Sequence, residues 1–140
     1  MPKEKKRKLI GADTGFFYRI KEGDKTALRV FQECDVVVSI LTIFELQRQS
    51  LKTNMLEWDE AIALLEKSTI VVDVTKEIAK RAANIAHGTG MPAIDSLILS
   101  TFLIAGCARI FTTDAHFELY QRKGIEIINL KNTNLHIDSC

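Results

Sequence analysis

The sequence predicts an α/β domain, a three-layer α/β/α sandwich built on a largely parallel central sheet. Short apolar runs rich in β-branched residues recur at 8–12, 35–39, 69–74, 108–112 and 125–130. Continuous rather than alternating hydrophobicity is what a strand buried on both faces shows. Longer stretches with helical period lie between these runs, among them 44–52, 57–67 and 76–87. Strands alternating with helices need crossover connections, which lay the strands parallel and put helices on both faces of the sheet. No repeat, low-complexity tract or Pro/Gly-rich linker divides the 140 residues, so one core is expected, burying roughly two thirds of the unfolded surface.

The elements follow in order. A basic, flexible tail is expected at 1–8, where Lys3, Lys5, Lys6, Arg7 and Lys8 surround Glu4; such a run can touch phosphates or simply be a solvated end. The folded domain should occupy 9–130, with a C-terminal tail at 131–140. The first strand runs into Asp13, and the second leads to a helix carrying Glu45 early in its length. Asn54 with Glu57, and Thr75, mark helix starts. Gly88 reads as a helix terminator, and Pro92 as the first position of an apolar helix that carries Asp95. The fourth strand ends beside Asp114.

Composition excludes several function classes. A net charge of +1 gives no bulk argument for a polyanionic partner, so any such argument must be local. Cys34, Cys107 and Cys140 are odd in number and far apart, with no His at zinc-ligand spacing. Neither a disulfide framework nor a metal knuckle is indicated, and a reducing cytoplasmic setting fits. The apolar stretch after the basic start is too short for a signal peptide, and the run 91–106 is interrupted by Asp95 and falls short of the ~20 residues a bilayer demands. No membrane segment is expected.

The chemistry resides in four acids. Asp13 and Asp114 fall at the carboxyl ends of strands and Glu45 on the helix that leaves the second, which is where α/β folds gather their ligands, and Asp95 opens the apolar helix after Pro92. Each has a structural explanation of its own: Asp13 and Asp114 as helix caps, Glu45 and Asp95 as acids favoured by a helix dipole. Against that, Glu45 sits among Ile43, Phe44 and Leu46, and Asp95 opens a helix that is apolar nearly all round. A carboxylate in such surroundings needs a partner or a cation. Like charges brought together without a cation repel. Hard oxygen donors without His or Cys point to Mg²⁺ or Mn²⁺, and such a site suits phosphodiester hydrolysis.

Four segments carry a family resemblance. Leu9-Ile10-Gly11-Ala12-Asp13-Thr14, Ser39-Ile40-Leu41-Thr42-Ile43-Phe44-Glu45-Leu46, Met91-Pro92-Ala93-Ile94-Asp95-Ser96-Leu97-Ile98 and Phe111-Thr112-Thr113-Asp114-Ala115-His116-Phe117 resemble, in order, the four acidic motifs of the PIN-domain family. The likeness spans nearly the whole chain, and the short single-domain form is most similar to toxins of the VapC type. The resemblance implies a metal-dependent endoribonuclease with Asp13, Glu45, Asp95 and Asp114 as catalytic metal ligands and Thr112 supporting Asp114 or the attacking water. It also implies an RNA substrate, a cognate antitoxin and a homodimer. A housekeeping PIN nuclease, for example in ribosomal RNA maturation, and an inactive PIN-fold RNA-binding module are the alternatives.

Other signals carry less. Arg48 and Lys52 follow Glu45 by three and seven positions, so they share its helix face and can guide an RNA backbone or form a solvated face with a Glu45 to Arg48 pair. Gly88, Gly90 and Ala93 spell a dinucleotide fingerprint but follow a helix rather than a strand. His87, His116 and His136 read as packing or surface residues. A phosphoryl-aspartate enzyme of the haloacid-dehalogenase type would want an acid two residues after Asp13, where this chain has Gly15.

Overall fold

The computed structural model describes residues 7–132 apart from position 55. Five strands form one all-parallel sheet in the order β3-β2-β1-β4-β5: β1 (Leu9–Ala12), β2 (Asp35–Ser39), β3 (Ile70–Val72), β4 (Arg109–Thr112) and β5 (Glu126–Asn129). All five coincide with the predicted runs to within two residues at either end. The chain lays down β1, β2 and β3 outward in one direction, then crosses back to place β4 on the other side of β1. The reversal of direction therefore lies between β1 and β4, and a crevice opens at their carboxyl ends.

Strand residues alternate between two apolar layers. Ile10, Ala12, Val36, Val38, Phe111 and Ile128 face a layer with Phe16, Val30, Leu46 and Trp58, contributed by α1 (Thr14–Lys21), α2 (Lys25–Glu33), α3 (Ile40–Thr53) and α4 (Leu56–Ser68). Val37 and Ile110 face Ile85, Leu99 and Phe102 on the opposite side, from α5 (Lys76–Thr89) and α6 (Ala93–Ala105). Phe16, Phe102, Phe111 and Phe117 are fully buried, each contributing about 2–3 kcal/mol by leaving water. Gly11 allows this packing: a Cβ there would lie 2.4 Å from Cγ of Phe102, so the Phe102 ring of α6 packs directly on the backbone of the central strand.

Helix boundaries refine the sequence reading in four places. The helix expected over 44–52 starts at Ile40, because Ser39 ends β2 and at once caps α3 by accepting the Leu41 N–H at 3.1 Å. Glu45 therefore sits in the second turn, beyond the reach of the helix dipole offered as its structural explanation. Asn54 ends α3 in the left-handed conformation, φ 52°, rather than starting the next helix. Pro92 is the N-cap of α6, one residue before the expected position, and α5 runs through Gly88 to stop at Gly90, φ 78°. Thr75 does cap α5, accepting the Ile78 N–H at 3.2 Å.

The N-terminal residues 1–6 and the C-terminal residues 133–140, which hold most of both expected tails and His136, lie outside the described residues. Arg7, expected in the flexible tail, is tied to the end of α2: its guanidinium donates to the carbonyls of Gln32, Glu33 and Cys34 and lies 3.5 Å from Asp35. A cation at a helix carboxyl end complements the exposed carbonyl dipoles there.

Candidate active site

The crevice between β1 and β4 forms a cleft of about 190 Å³ lined by Asp13, Glu45, Asp95 and Asp114, with Thr14, Gly15, Tyr18, Ile98, Thr113 and Phe117 as the rest of its wall. All four acids singled out in the sequence therefore meet in one place. Among the described residues, the larger hollow of about 670 Å³ beside Tyr120 and Lys123 is lined by a single acid, Glu118.

Asp13 leaves the end of β1 and is both N-cap and cleft residue. One carboxylate oxygen accepts the Phe16 N–H at 3.1 Å, while the other accepts the Thr112 hydroxyl at 2.5 Å. Thr112 ends β4, so this second bond ties the two strands together at the point where the sheet reverses direction. The same hydroxyl oxygen accepts the Asp114 N–H at 2.9 Å. Thr112 thus supports Asp114 through its backbone, and its side-chain partner is Asp13. With the residue only 5% exposed, burial pushes the Asp13 pKa up to about 6. The bonds from Thr112 and the Phe16 N–H oppose that rise, and the charges of Asp114 and Asp95 add to it.

Glu45 reaches the cleft from α3. Thr14 donates to its Oε1 at 3.2 Å, and Thr14 and Thr42 hydroxyls lie 3.1 Å apart, forming a short buried polar chain from α1 to α3. Burial raises the Glu45 pKa, the Thr14 bond lowers it and the charge of Asp114 raises it. Asp95 lies in the first turn of α6. Its pKa is also raised to about 6, first by burial, then by the charge of Asp114 and a hydrogen bond with it, with His116 opposing.

Asp114 caps a 3-10 turn, Ala115–Leu119, by accepting the His116 N–H at 2.9 Å. That turn brings the His116 ring back onto the acids: Nδ1 lies 2.9 Å from Asp114 Oδ1 and 3.4 Å from Asp95 Oδ2. His116 is exposed, as the sequence reading had it, and its ring in addition contacts two of the acids. One ligand atom from each of Asp95, Asp114 and His116 falls within 4.8 Å of the others. The available signal was the two-residue spacing from Asp114, which only a tight turn converts into proximity. Thr14, given no role of its own in the sequence reading, becomes visible through its bond to Glu45. His87 is exposed, as read.

Gly15 explains why no second acid follows Asp13. A Cβ at this position would lie 1.9 Å from the Thr113 hydroxyl, so any side chain here would have to displace that of Thr113. Arg48 and Lys52 are exposed on α3 and do not line the cleft; among the described residues no ion pair joins Arg48 to Glu45. No described helix is long and apolar enough to cross a membrane.

Known proteins share this architecture. VapBC-1 from nontypeable Haemophilus influenzae superposes with a TM-score of 0.69 at 20% identity, covering 89% of this chain and 99% of that one. VapBC2 from Rickettsia felis, bound to a DNA fragment from its promoter, gives 0.68 at 14% identity over 86% and 98%. A toxin–antitoxin complex from Klebsiella pneumoniae gives 0.66 at 14% over 83% and 94%. No curated protein sequence gave a match. At these identities the structures establish the fold. The PIN-domain family model aligns with residues 12–123, taking in β1's last residue, all four cleft acids and the turn after β4. Because that alignment covers most of the chain, the protein belongs to the PIN-domain family.

Proposed function

We propose that this protein is an endoribonuclease that hydrolyses RNA phosphodiester bonds with a divalent cation, Mg²⁺ or Mn²⁺, and acts as the toxin of a toxin–antitoxin pair. The observation carrying the nuclease reading is the meeting of four carboxylates in one partly buried cleft at the point where the sheet reverses direction. Burial and mutual repulsion hold Asp13 and Asp95 near pKa 6, a cost that a bound cation offsets. The donors suit a hard cation, with Asp13, Glu45, Asp95 and Asp114 as its ligands. When bound, such a cation acidifies a coordinated water and neutralises charge on the phosphate oxygens.

The chain's own residues prepare that site. Thr112 fixes the rotamer of Asp13 and the backbone of Asp114, and Thr14 fixes Glu45. Ligands held in place before binding lose little freedom when the cation and RNA arrive. Ile98 and Phe117 give the cleft an apolar wall beside the acids. Arg48 and Lys52, exposed further along the helix that carries Glu45, are assigned to the RNA backbone.

Two observations support the antitoxin partner. The similar structures named above include toxin–antitoxin complexes. A separate apolar groove of about 380 Å³ runs between α1, α2 and α4, lined by residues including Phe17, Leu28, Phe31, Trp58 and Leu64, with Leu28 and Leu64 well exposed. An antitoxin segment with apolar anchors fits that groove.

The test is cleavage of RNA by purified protein with Mg²⁺, with Mn²⁺ and in chelator, for the wild type and for Asp13→Asn and Asp95→Asn. Cleavage confined to the metal-containing wild type is expected, with both variants folded. Full activity in chelator, or in both variants, overturns the reading.

A further inference from the structure

Resting on the cation site just proposed, we infer that His116 supplies a nitrogen donor to it, making a mixed carboxylate–imidazole site that favours Mn²⁺ over Mg²⁺. The placement of the ring carries this. His116 Nδ1 stands 2.9 Å from Asp114 Oδ1 and 3.4 Å from Asp95 Oδ2, and the three donors fit within a 4.8 Å span. Ligands held about 2.1 Å from an octahedral cation lie about 3 Å apart when adjacent and about 4.2 Å apart when opposite. Both distances from His116 Nδ1 therefore fall at or inside the range spanned by ligands around one ion.

Its position is built by the backbone. Asp114 accepts the His116 N–H at 2.9 Å, closing the 3-10 turn, and Phe117, 1% exposed, anchors the next residue in the core. The ring side chain is 56% exposed, so Nε2–H can face water while the Nδ1 lone pair faces the acids. A ring that only hydrogen-bonds the carboxylates would do so through an Nδ1–H, and would leave the ion an all-oxygen site. Imidazole nitrogen is a poor replacement for oxygen on Mg²⁺, which holds to hard ligands and water. Mn²⁺ tolerates it better.

The full chain loaded with Mn²⁺ is examined by electron spin-echo envelope modulation, beside calorimetric titrations with Mn²⁺ and Mg²⁺. The variants are His116→Gln and, as control, His87→Gln. The expected result is ¹⁴N modulation in the wild type and in His87→Gln, changed to the ¹⁵N pattern by ¹⁵N-histidine labelling and absent in His116→Gln. The ratio of Mn²⁺ to Mg²⁺ affinity should fall by about tenfold or more in His116→Gln, since loss of even an outer-shell partner costs a metal site that much. Bound Mn²⁺ without nitrogen modulation in the wild type overturns the inference while leaving the all-carboxylate site standing. Modulation that persists in His116→Gln, or an unchanged affinity ratio, overturns it too. Failure of both ions to bind overturns the cation site and this inference together.

Discussion

Acidification should stabilise the metal-free protein, and Asp13 should supply a measurable part of the effect. Its carboxyl has a pKa of about 6 in the fold, against an ordinary value of 3.8. An acid whose pKa is raised on folding binds its proton more tightly in the native state. Its penalty is therefore fully present above about pH 6, shrinks as pH falls through that value, and is gone below the unfolded pKa near 3.8. A shift of about 2 units corresponds to about 3 kcal/mol of destabilisation at neutral pH, of which roughly 1 kcal/mol is relieved between pH 7 and 5. At roughly 4 °C per kcal/mol for a domain of this size, that is a rise in Tm of a few degrees. Asp95 shifts in the same direction and adds to it. The assay is calorimetric melting in chelator from pH 7 to 5 for the wild type and Asp13→Asn. Asn keeps an oxygen for the Phe16 N–H but cannot titrate, so its melting temperature should rise less steeply as pH falls. A wild-type Tm that is flat or falls over this range, or a variant with the same slope, would refute the assignment of strain to the buried carboxylate.

Further predictions follow from the same geometry. Millimolar Mg²⁺ or Mn²⁺ at pH 7 should raise the wild-type Tm and leave that of Asp95→Asn nearly unchanged, because in the proposed site a cation binds the native state only through the intact acid set; equal shifts in both proteins count against Asp95 as a ligand. Thr112→Val should cost about 1–3 kcal/mol by leaving the Asp114 N–H and one Asp13 oxygen without their partner, and should weaken cation binding in calorimetry; unchanged affinity would remove its positioning role. Gly15→Ala should destabilise by about 1–3 kcal/mol through the overlap with Thr113, and combining it with Thr113→Ala should recover much of that loss in thermal melts. A strictly additive pair would mean the contact is not the cause. Leu64→Glu, on the apolar groove, should abolish capture by a cognate antitoxin while RNA cleavage persists; retained capture would move the partner elsewhere.

Much of this protein was legible in its sequence because its signals are local. Buried parallel strands announce themselves as continuous apolar runs, so all five were found, and the alternation with helices implied the three layers. The four acids stood out because each interrupts or ends an apolar segment, and the strand-end rule of α/β folds said where they would gather. What the sequence could not decide was strand order. Asp13 and Asp114 meet only because β4 adds beside β1 rather than beyond β3, a choice made by the summed packing of both helix layers. Helix starts were misplaced where one residue serves two elements, as Ser39 does in ending β2 and capping α3. The Thr112 bond to Asp13 spans 99 residues of chain, and the approach of Thr113 to Gly15 is similarly remote in sequence. The turn that lays His116 against Asp95 acquires its meaning only once α6 is docked. Sequence fixes which groups are present and on what kind of element they ride. Their distances depend on long-range packing, which no window along the chain contains.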